Sequence, residues 1–318
     1  MTDDAVQEEL SALKKEVSKL RLEASLRKSL AGQLEKQKRV ANQAKTELEE
    51  KHRNLISSLN YASHIQKSVM PSSTELEAVF PGAFIHWVPQ HIVGGDAYYM
   101  SRQTGEGAAA GRVVFCVYDC TGHGVPGAFM TLLGERALDL GVTKAGDDPA
   151  IRAGNILGFA DGFIRRQVNT GGDTESNDGM DCFVLDFEPG GRSHYASANF
   201  TVFGQTDDDF IALDNDPGSV GYRLDADESA PTFATHTLDP DTFRALVIVS
   251  DGILDQKGGP KGLSLGRRRL LGILHDVAAA DGWSGPVDGA AIVAAVESYQ
   301  GENEQRDDIS LIVIPMTA

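Results

Sequence analysis

The sequence predicts a mixed α/β or α+β domain that follows one long helix. Residues 1–70 contain no proline and one glycine and are rich in Leu, Glu, Lys, Gln and Ala, all of which favour helices. Residues 71–318 alternate short apolar runs, typical of buried strands, with stretches whose apolar residues recur at helical spacing. We therefore expect two segments, a helical one over 1–70 and a folded domain over 71–318.

The N-terminal segment carries a pattern typical of a coiled coil. Leu10, Leu13, Val17 and Leu20 follow the alternating spacing of three and four residues found in a coiled-coil seam, and the pattern then drifts. A helix of this length needs a partner to bury such a stripe, so we predict a homodimer through this helix. The alternative is a single solvated helix packed on its own domain.

The end of the helix is predicted at Met70, because Pro71 cannot continue it. Tyr61, Ile65 and Val69 are spaced to share one helix face. We expect this segment either to dock through that face on the domain core or to act as a switch helix leading into the domain.

Charge and composition limit the partners and the compartment. Residues 1–70 carry 13 Lys and Arg against 10 Asp and Glu, and residues 71–318 carry 16 against 36, a net charge of −20. Such an acidic domain argues against nucleic acid as a partner. No apolar run approaches the ~20 residues that span a bilayer, and the acidic, polar start is no secretory signal. Three cysteines without zinc spacing predict reduced thiols in a cytoplasmic protein.

The elements of the domain follow from its apolar runs. Strands are expected at 83–88, 98–100, 113–118, 181–187, 193–198, 201–204, 210–213, 220–224, 244–250 and 309–314. Helices are expected from Pro126 onwards and at 149–168, 265–280 and 287–300, with exposed turns at 104–111 and 170–178. The first of these helices is marked by Phe129, Leu132, Leu133 and Leu140 at helical spacing; the second is expected to turn Ile151, Ile156, Leu157, Phe159 and Ile164 inward.

The stretch from Arg112 to Gly134 organises the rest of the domain. A short apolar run ends on Asp119, and Gly122 and Gly124 then force a tight turn before the helix. An acid at the end of a buried strand, beside a turn that brings backbone carbonyls close, can hold a hard cation.

Three further acidic motifs have the same character. Asp96 follows two glycines, Asp251 ends a second apolar run and precedes a glycine, and Asp307 and Asp308 open the last apolar run. Any one of them is explained by a solvated turn, whereas four such carboxylates repel one another unless a cation lies among them. Oxygen ligands without Cys or His at ligand spacing favour magnesium or manganese over zinc.

These motifs together resemble the PPM-type, metal-dependent serine/threonine protein phosphatases, in particular the SpoIIE-like branch of bacterial signalling phosphatases. The resemblance spans roughly residues 60–316 and implies a four-layer α-β-β-α sandwich. The matching pieces, in the family's order, are V-G-G-D at 93–96, D-C-T-G-H-G-V-P-G-A at 119–128, D-G-M-D at 178–181, S-V-G-Y-R at 219–223, S-D-G-I-L-D-Q-K-G-G at 250–259 and D-D-I-S at 307–310.

The resemblance implies two divalent cations, Mn²⁺ or Mg²⁺, about 3.5–4 Å apart and bridged by Asp119 and by a water or hydroxide. Asp119 and Asp251 are then the catalytic residues. The implied metal-binding positions are Asp96, Asp119, the backbone carbonyl of Cys120, Asp251 and Asp307.

Several neighbouring residues allow two interpretations. Asp307 rather than Asp308 matches the family's ligand, and Asp308 is then expected to be an exposed residue at the start of a strand. Asp178 either binds a further metal or is a loop aspartate. His123 either protonates the leaving oxygen or orients the turn by hydrogen bonding, and it is left out of the catalytic set. Ser250 is interpreted as a turn residue, and no arginine is assigned to phosphate binding.

The function implied by the resemblance is hydrolysis of phosphoserine or phosphothreonine in a small phosphorylated regulator of the anti-sigma-antagonist type, by a water activated between two metals. The alternative is a catalytically silent dimeric signalling scaffold with the same fold. The residues do not reveal the input signal.

Overall fold

The computed structural model describes residues 3–103, 111–168, 177–222, 229–239 and 241–316. It divides into two compact units, residues 1–58 and 59–318. The helices are α1 Asp3–Val69, α2 Ser73–Glu77, α3 Gly124–Lys144, α4 Pro149–Val168, α5 Asp251–Asp255, α6 Gly266–Ala280 and α7 Gly289–Gln300. The strands are β1 Phe84–Val88, β2 Asp96–Arg102, β3 Val113–Cys120, β4 Met180–Phe187, β5 Ser193–Ala198, β6 Thr201–Gln205, β7 Phe210–Ala212, β8 His236–Leu238, β9 Ala245–Val249, β10 Lys257–Gly258, β11 Leu263–Ser264 and β12 Ile309–Pro315. Within these described ranges, none of the helices combines the length and the apolar character needed to cross a membrane.

The first unit is the greater part of α1. Its apolar side chains are exposed along the helix, from Leu10 at 54% and Leu13 at 56% to Leu34 at 68%. The stripe predicted from the sequence is therefore present on the surface of the single chain. Pairing through it stays a prediction.

The last turns of α1, from Leu59, belong to the second unit, and the helix ends at Val69 as Pro71 predicts. They dock on that unit through Gln66, whose side-chain amide donates to the carbonyl of Gly94 at 2.7 Å and to the hydroxyl of Thr131 at 3.0 Å. The expected docking face is confirmed only in part: Tyr61 is 69% exposed, whereas Val69 is half-buried and Ile65, 41% exposed, lines a small apolar cleft of the domain. The buried amide of Gln66, with its backbone and hydroxyl partners, adds polar contacts beside this apolar one.

The second unit is a four-layer sandwich, which confirms the fold class. One antiparallel sheet has the order β1-β12-β9-β6-β7 and the other β2-β3-β4-β5-β8. Phe115, Phe183, Leu246, Ile248 and Ile312 belong to the core between the two sheets. A second core lies between the β2–β5 strands and α3 and α4, and a third between the other sheet and α6 and α7.

Helix α3 buries both small and large apolar residues, and the large apolar residues that mark it in the sequence are not among its buried ones. Phe129 is 70% exposed, whereas Gly134, Ala137 and Gly141 are buried. A Cβ on Gly141 would lie 2.6 Å from the carbonyl oxygen of Ile156. Close approach of the α3 and α4 backbones thus requires glycine at this position.

Helix α4 has the predicted bounds, but its inward face is only partly as expected. Ile156, Leu157 and Ile164 are fully buried, whereas Ile151 and Phe159 are 52% and 40% exposed, so their predicted burial was wrong. The same face also buries Arg152 and Asp161. These polar residues are accommodated because each has partners inside: Arg152 pairs with Asp186 at 2.9 Å, and Asp161 accepts from a backbone N–H.

Three differences in the strands bear on the site. Strand β2 begins at Asp96 rather than at residue 98, and β3 continues through Asp119 to Cys120. The strand predicted over 220–224 was wrong for residues 220–222, where only Val220 forms an isolated bridge to Met180. Residues 223–224, 104–110 and 170–176 lie outside the described residues. No sequence pattern predicted β8 or the short helix α5.

Candidate active site

Strand register brings three carboxylates into one row. Asp96 on β2 pairs with Asp119 on β3, and Asp119 pairs in turn with Asp181 on β4. Directly opposed residues of an antiparallel pair have Cβ atoms about 4.5–5.5 Å apart on the same face. Asp119 lies on the same face of β3 as Val117 and Phe115, and these two side chains face the second sheet. The row therefore lies at one end of the space between the two sheets.

The second sheet supplies the remaining acids from the adjacent ends of β9 and β12. Asp251 is the first residue of α5, directly after β9, and Asp307 precedes β12. Strands β9 and β12 are antiparallel neighbours, so the end of one lies beside the start of the other. Gly252 permits this contact, because a Cβ there would lie 2.0 Å from the carbonyl oxygen of Asp308.

These residues surround a cleft of about 230 Å³. Four of the five predicted metal-binding positions line it, and the fifth, Asp96, is 1% exposed and lies behind them. The carboxylate of Asp96 accepts a hydrogen bond from the Ser310 hydroxyl at 2.7 Å. The lining residues are Asp119, Cys120, Thr121, Gly122, His123, Asp181, Tyr222, Asp251 and Asp307.

Burial, and to a lesser extent neighbouring negative charge, raises the pKa of the carboxylates at the cleft. Burial raises the pKa of Asp96 to about 8, and the charge of Asp308 adds to that rise. Burial also raises the pKa of Asp119 well above its ordinary value, followed by the charges of Asp96 and Asp251. The pKa of Asp251 is raised first by burial. No Lys or Arg is among the residues lining the cleft, so nothing in its lining offsets this negative charge.

The donor set fits a hard divalent cation. Every carboxylate in the cleft offers oxygen, and Asp119 lies within hydrogen-bonding reach of both Asp96 and Asp251. In the described part of the chain, no group of three or more His, Cys, Asp and Glu side chains has the spacing of metal ligands. Carboxylates that share protons lie closer to one another than ligands around a cation do. The fit to a divalent cation rests on the donors, all of which are oxygen atoms.

Asp308 holds the glycine loop and is not exposed, so the expectation of a solvent-facing residue was wrong. It is 2% exposed, and its carboxylate accepts from the backbone N–H of Gln90 at 2.6 Å and of Gly95 at 2.5 Å. A Cβ on Gly94 would lie 2.6 Å from that carboxylate. The two glycines before Asp96 thus let the loop close around Asp308. Asp307 is the member of the pair that faces the cleft.

Asp181 and Tyr222 line the cleft but were not singled out as site residues in the sequence. The carboxylate of Asp181 accepts from the Ser219 hydroxyl at 2.5 Å and from the Asn199 amide at 2.7 Å. Its pKa is raised by burial, against which these two hydrogen bonds act. The available signal was the D-G-M-D motif, whose second acid is one strand away from Asp119. Burial also raises the pKa of Tyr222, and the nearby charges of Asp181 and Asp119 add to this.

The positions of His123, Asp178 and Ser250 bear on the roles considered for them in the sequence. His123 is the N-cap residue of α3, makes no capping hydrogen bond, and stacks on His91 with ring centroids 5.1 Å apart. Asp178 accepts from the Thr121 hydroxyl at 3.1 Å and does not line the cleft. Ser250 is buried and joins the ends of β9 and β12, accepting from the N–H of Ser310 at 2.9 Å. It has the structural role predicted for it.

Comparison with known proteins places this chain in a family. The family profile described as "Stage II sporulation protein E (SpoIIE)" matches residues 109–317. No curated protein sequence matches the chain significantly. Among solved structures, the SiaA-PP2C domain of Pseudomonas aeruginosa is similar with a TM-score of 0.65 and 28% identity, over 83% of this chain and 98% of that one.

Two further structures share the fold. The PP2C phosphatase domain of SpoIIE from Bacillus subtilis, solved with a fragment of its regulatory domain, matches with a TM-score of 0.52 and 14% identity, over 73% of this chain and 62% of that one. The RsbU and RsbW domains of Rv1364c from Mycobacterium tuberculosis match with a TM-score of 0.50 and 20% identity, over 74% and 60%. Since the family profile matches well over half of the chain, the protein belongs to the SpoIIE family of PPM-type serine/threonine phosphatases, which are hydrolases.

Proposed function

We propose that the protein removes phosphate from phosphoserine or phosphothreonine in a protein substrate, using two divalent cations, Mn²⁺ or Mg²⁺, held in the acidic cleft. The observation that supports this most is the convergence of acids from both sheets. Asp119 and Asp181 come from one sheet and Asp251 and Asp307 from the ends of the other, and neither Lys nor Arg lines the cleft. Such an arrangement is costly unless cations neutralise it.

The proposed ligands are Asp119 between the two cations, the carbonyl of Cys120, Asp251 and Asp307, with Asp96 supporting the site from behind. When bound, the cations neutralise charge on the phosphoryl group and lower the pKa of a water. The chain's own residues keep the ligands in place. Ser310 orients Asp96, and Asp308 fixes the loop that carries it. Asp181 is held by Ser219 and Asn199 and adds a carboxylate to the cleft that the sequence did not predict.

The substrate implied by the resemblance is a small phosphorylated regulator of the anti-sigma-antagonist type. The shallow, polar cleft supports a protein substrate, since it does not enclose a small molecule in an apolar pocket. Three buried, unpaired thiols are consistent with a reducing compartment, and we place the protein in the cytoplasm.

We also propose that residues 1–70 form a regulatory coiled coil that joins two copies, and that residues 71–318 are the phosphatase domain. The exposed stripe from Leu10 to Leu34 supports the pairing. The second compact unit begins at Leu59, so the proposed regulatory segment would end within that unit.

The function is tested by phosphate release from a purified phosphoprotein. The full chain with Mn²⁺ is expected to release phosphate, and Asp119→Asn is expected to lower the rate by at least about 100-fold, since it removes a shared ligand. The matched control is Asp208→Asn, an exposed acid outside the cleft, which is expected to leave the rate unchanged.

Two outcomes would overturn the proposal. An Asp119→Asn variant as active as the unchanged chain would remove this cleft as the site. A chain that releases no phosphate with any divalent cation would favour the catalytically silent scaffold.

A further inference from the structure

A short segment that carries one aromatic residue forms a wall of the cleft. Residues 219–222 cross the start of β4, where Val220 and Met180 exchange two backbone hydrogen bonds of 2.8 Å. Ser219 precedes this bridge and donates to Asp181, and Tyr222 follows it and lines the cleft. The segment is therefore hydrogen-bonded to Asp181 at its start and borders the cleft at its end.

A charge pair on α4 holds the backbone of this segment. Asp161 is 2% exposed, and its carboxylate accepts from the N–H of Gly221 at 2.8 Å. Arg165 donates to both oxygens of Asp161, at 2.6 and 2.8 Å, and also to the carbonyl of Tyr222. A bidentate Arg–carboxylate pair has a fixed geometry. Together the two side chains hold the backbone at Gly221 and Tyr222 in one place.

Two glycines let the segment sit this close. Gly221 has φ +91°, and a Cβ there would lie 2.4 Å from the Ile164 side chain. A Cβ on Gly179 would lie 2.4 Å from a ring carbon of Tyr222. The Tyr222 ring therefore lies directly against the backbone of Gly179, and α4 contacts the segment from the other side.

The cleft has few groups that can donate to a phosphate. Its lining contains no Lys or Arg, and the side chains with a donor are Thr121, His123 and Tyr222. The hydroxyl of Thr121 is already engaged with Asp178 and with the carbonyl of Gly179. Within the described residues, no hydrogen bond is made by the Tyr222 hydroxyl, although its backbone is fixed at several points.

We propose that the Tyr222 hydroxyl donates a hydrogen bond to the phosphoryl group of the bound substrate, and that Asp161 and Arg165 position it from α4. The inference rests on the proposed function for the identity of the ligand. Tyr222 is then a substrate-binding residue, and Asp161 and Arg165 are positioning residues that act through it. A phenol held in this way supplies a neutral donor in a cleft whose lining has no Lys or Arg.

The first test uses inorganic phosphate as the probe and Tyr222→Phe as the variant. Calorimetric titration of phosphate into the full chain loaded with Mn²⁺ is expected to show about tenfold weaker binding for Tyr222→Phe, the usual effect of losing a hydrogen bond to a charged group. The KM for a phosphoserine peptide is expected to rise by a similar factor. Phenylalanine keeps the ring against Gly179, so the unfolding temperature is expected to stay the same.

The second test separates positioning from general stability. Arg165→Met is expected to weaken phosphate binding severalfold in the unchanged chain and to have no further effect in a Tyr222→Phe background, because its influence passes through the hydroxyl. Arg166→Met is the matched control: Arg166 is the exposed next residue on α4 and is expected to change neither quantity.

The outcomes distinguish this inference from the proposed function. Equal phosphate binding by Tyr222→Phe and the unchanged chain would overturn the inference and leave the phosphatase proposal standing. An Arg165→Met effect of the same size in both backgrounds would overturn the positioning role. A chain that binds phosphate through Tyr222 yet releases none from phosphoproteins would contradict the proposed function alone.

Discussion

The carboxylates of the cleft make the stability of the metal-free protein depend on pH. The pKa of Asp96 is raised to about 8, and that of Asp119 is also raised, both first by burial. A raised pKa means that the folded chain binds more protons than the unfolded chain above the ordinary Asp value of about 3.9. Stability is therefore full below that value and falls as the pH rises towards the folded pKa values.

Thermal unfolding measures this directly. In EDTA, the unfolding temperature is expected to fall between about pH 5 and about pH 9, and added Mn²⁺ is expected to raise it most at the upper end, where the carboxylates are ionised. Asp119→Asn is expected to flatten the slope in EDTA because it removes one of the crowded carboxylates. A metal-free unfolding temperature that rises over this range would contradict the argument.

The two neighbouring acids before β12 have separate roles that mutation can distinguish. Asp308 accepts two backbone hydrogen bonds inside the protein, whereas Asp307 faces the cleft. Asp308→Asn is expected to lower the free energy of unfolding by about 1–3 kcal/mol, because an amide nitrogen replaces one buried acceptor. Asp307→Asn is expected to leave that free energy nearly unchanged and to lower phosphatase activity. Chemical denaturation and phosphate release on both variants would show the reverse pattern if Asp308 were the metal ligand.

At the scale of elements, the sequence predicted those features that a local pattern determines. The sequence of strand, acid, glycine and helix placed Asp119 correctly at the end of β3 and Asp251 after β9. Asp181 was missed because its place beside Asp119 depends on the pairing of β3 with β4, which no local pattern reveals. The buried face of α3 was missed for a related reason. It includes glycine and alanine beside larger apolar residues, and only the approach of a second backbone shows that small residues are needed there.

The contact between α3 and α4 makes a prediction at this scale. Gly141→Ala would place its Cβ 2.6 Å from a carbonyl oxygen of α4, so it is expected to destabilise the protein by about 1–3 kcal/mol, the usual cost of overpacking. Gly158→Ala on α4 is the matched control. Its Cβ would meet nothing within 4 Å, and the gain in helix propensity is expected to stabilise the protein by roughly 0.5–1 kcal/mol. Shifts of the denaturation midpoint in opposite directions for the two variants would verify the close packing, and equal shifts would refute it.

At the scale of the whole molecule, the two units differ in how they reach stability. The second unit buries three apolar cores around its sheets. The first unit is a solvent-exposed stretch of helix whose leucines have no intramolecular partner among the described residues. Most helical stability in proteins comes from packing an apolar face. We therefore expect the first unit to pack against an external partner, and a second copy would present an identical stripe.

Substitutions along the helix test this pairing while the helix itself stays in the chain. Leu13→Lys together with Leu20→Lys places charge in the predicted seam and is expected to convert a dimer to a monomer in light scattering, as removal of residues 2–58 should also do. Leu22→Lys is the control: Leu22 is 72% exposed and lies two residues from Leu20, off the seam. If the seam variant stays dimeric, or if Leu22→Lys dissociates the dimer equally, the helices do not pair through this stripe. A dimer that persists without residues 2–58 would instead place the interface on the phosphatase domain.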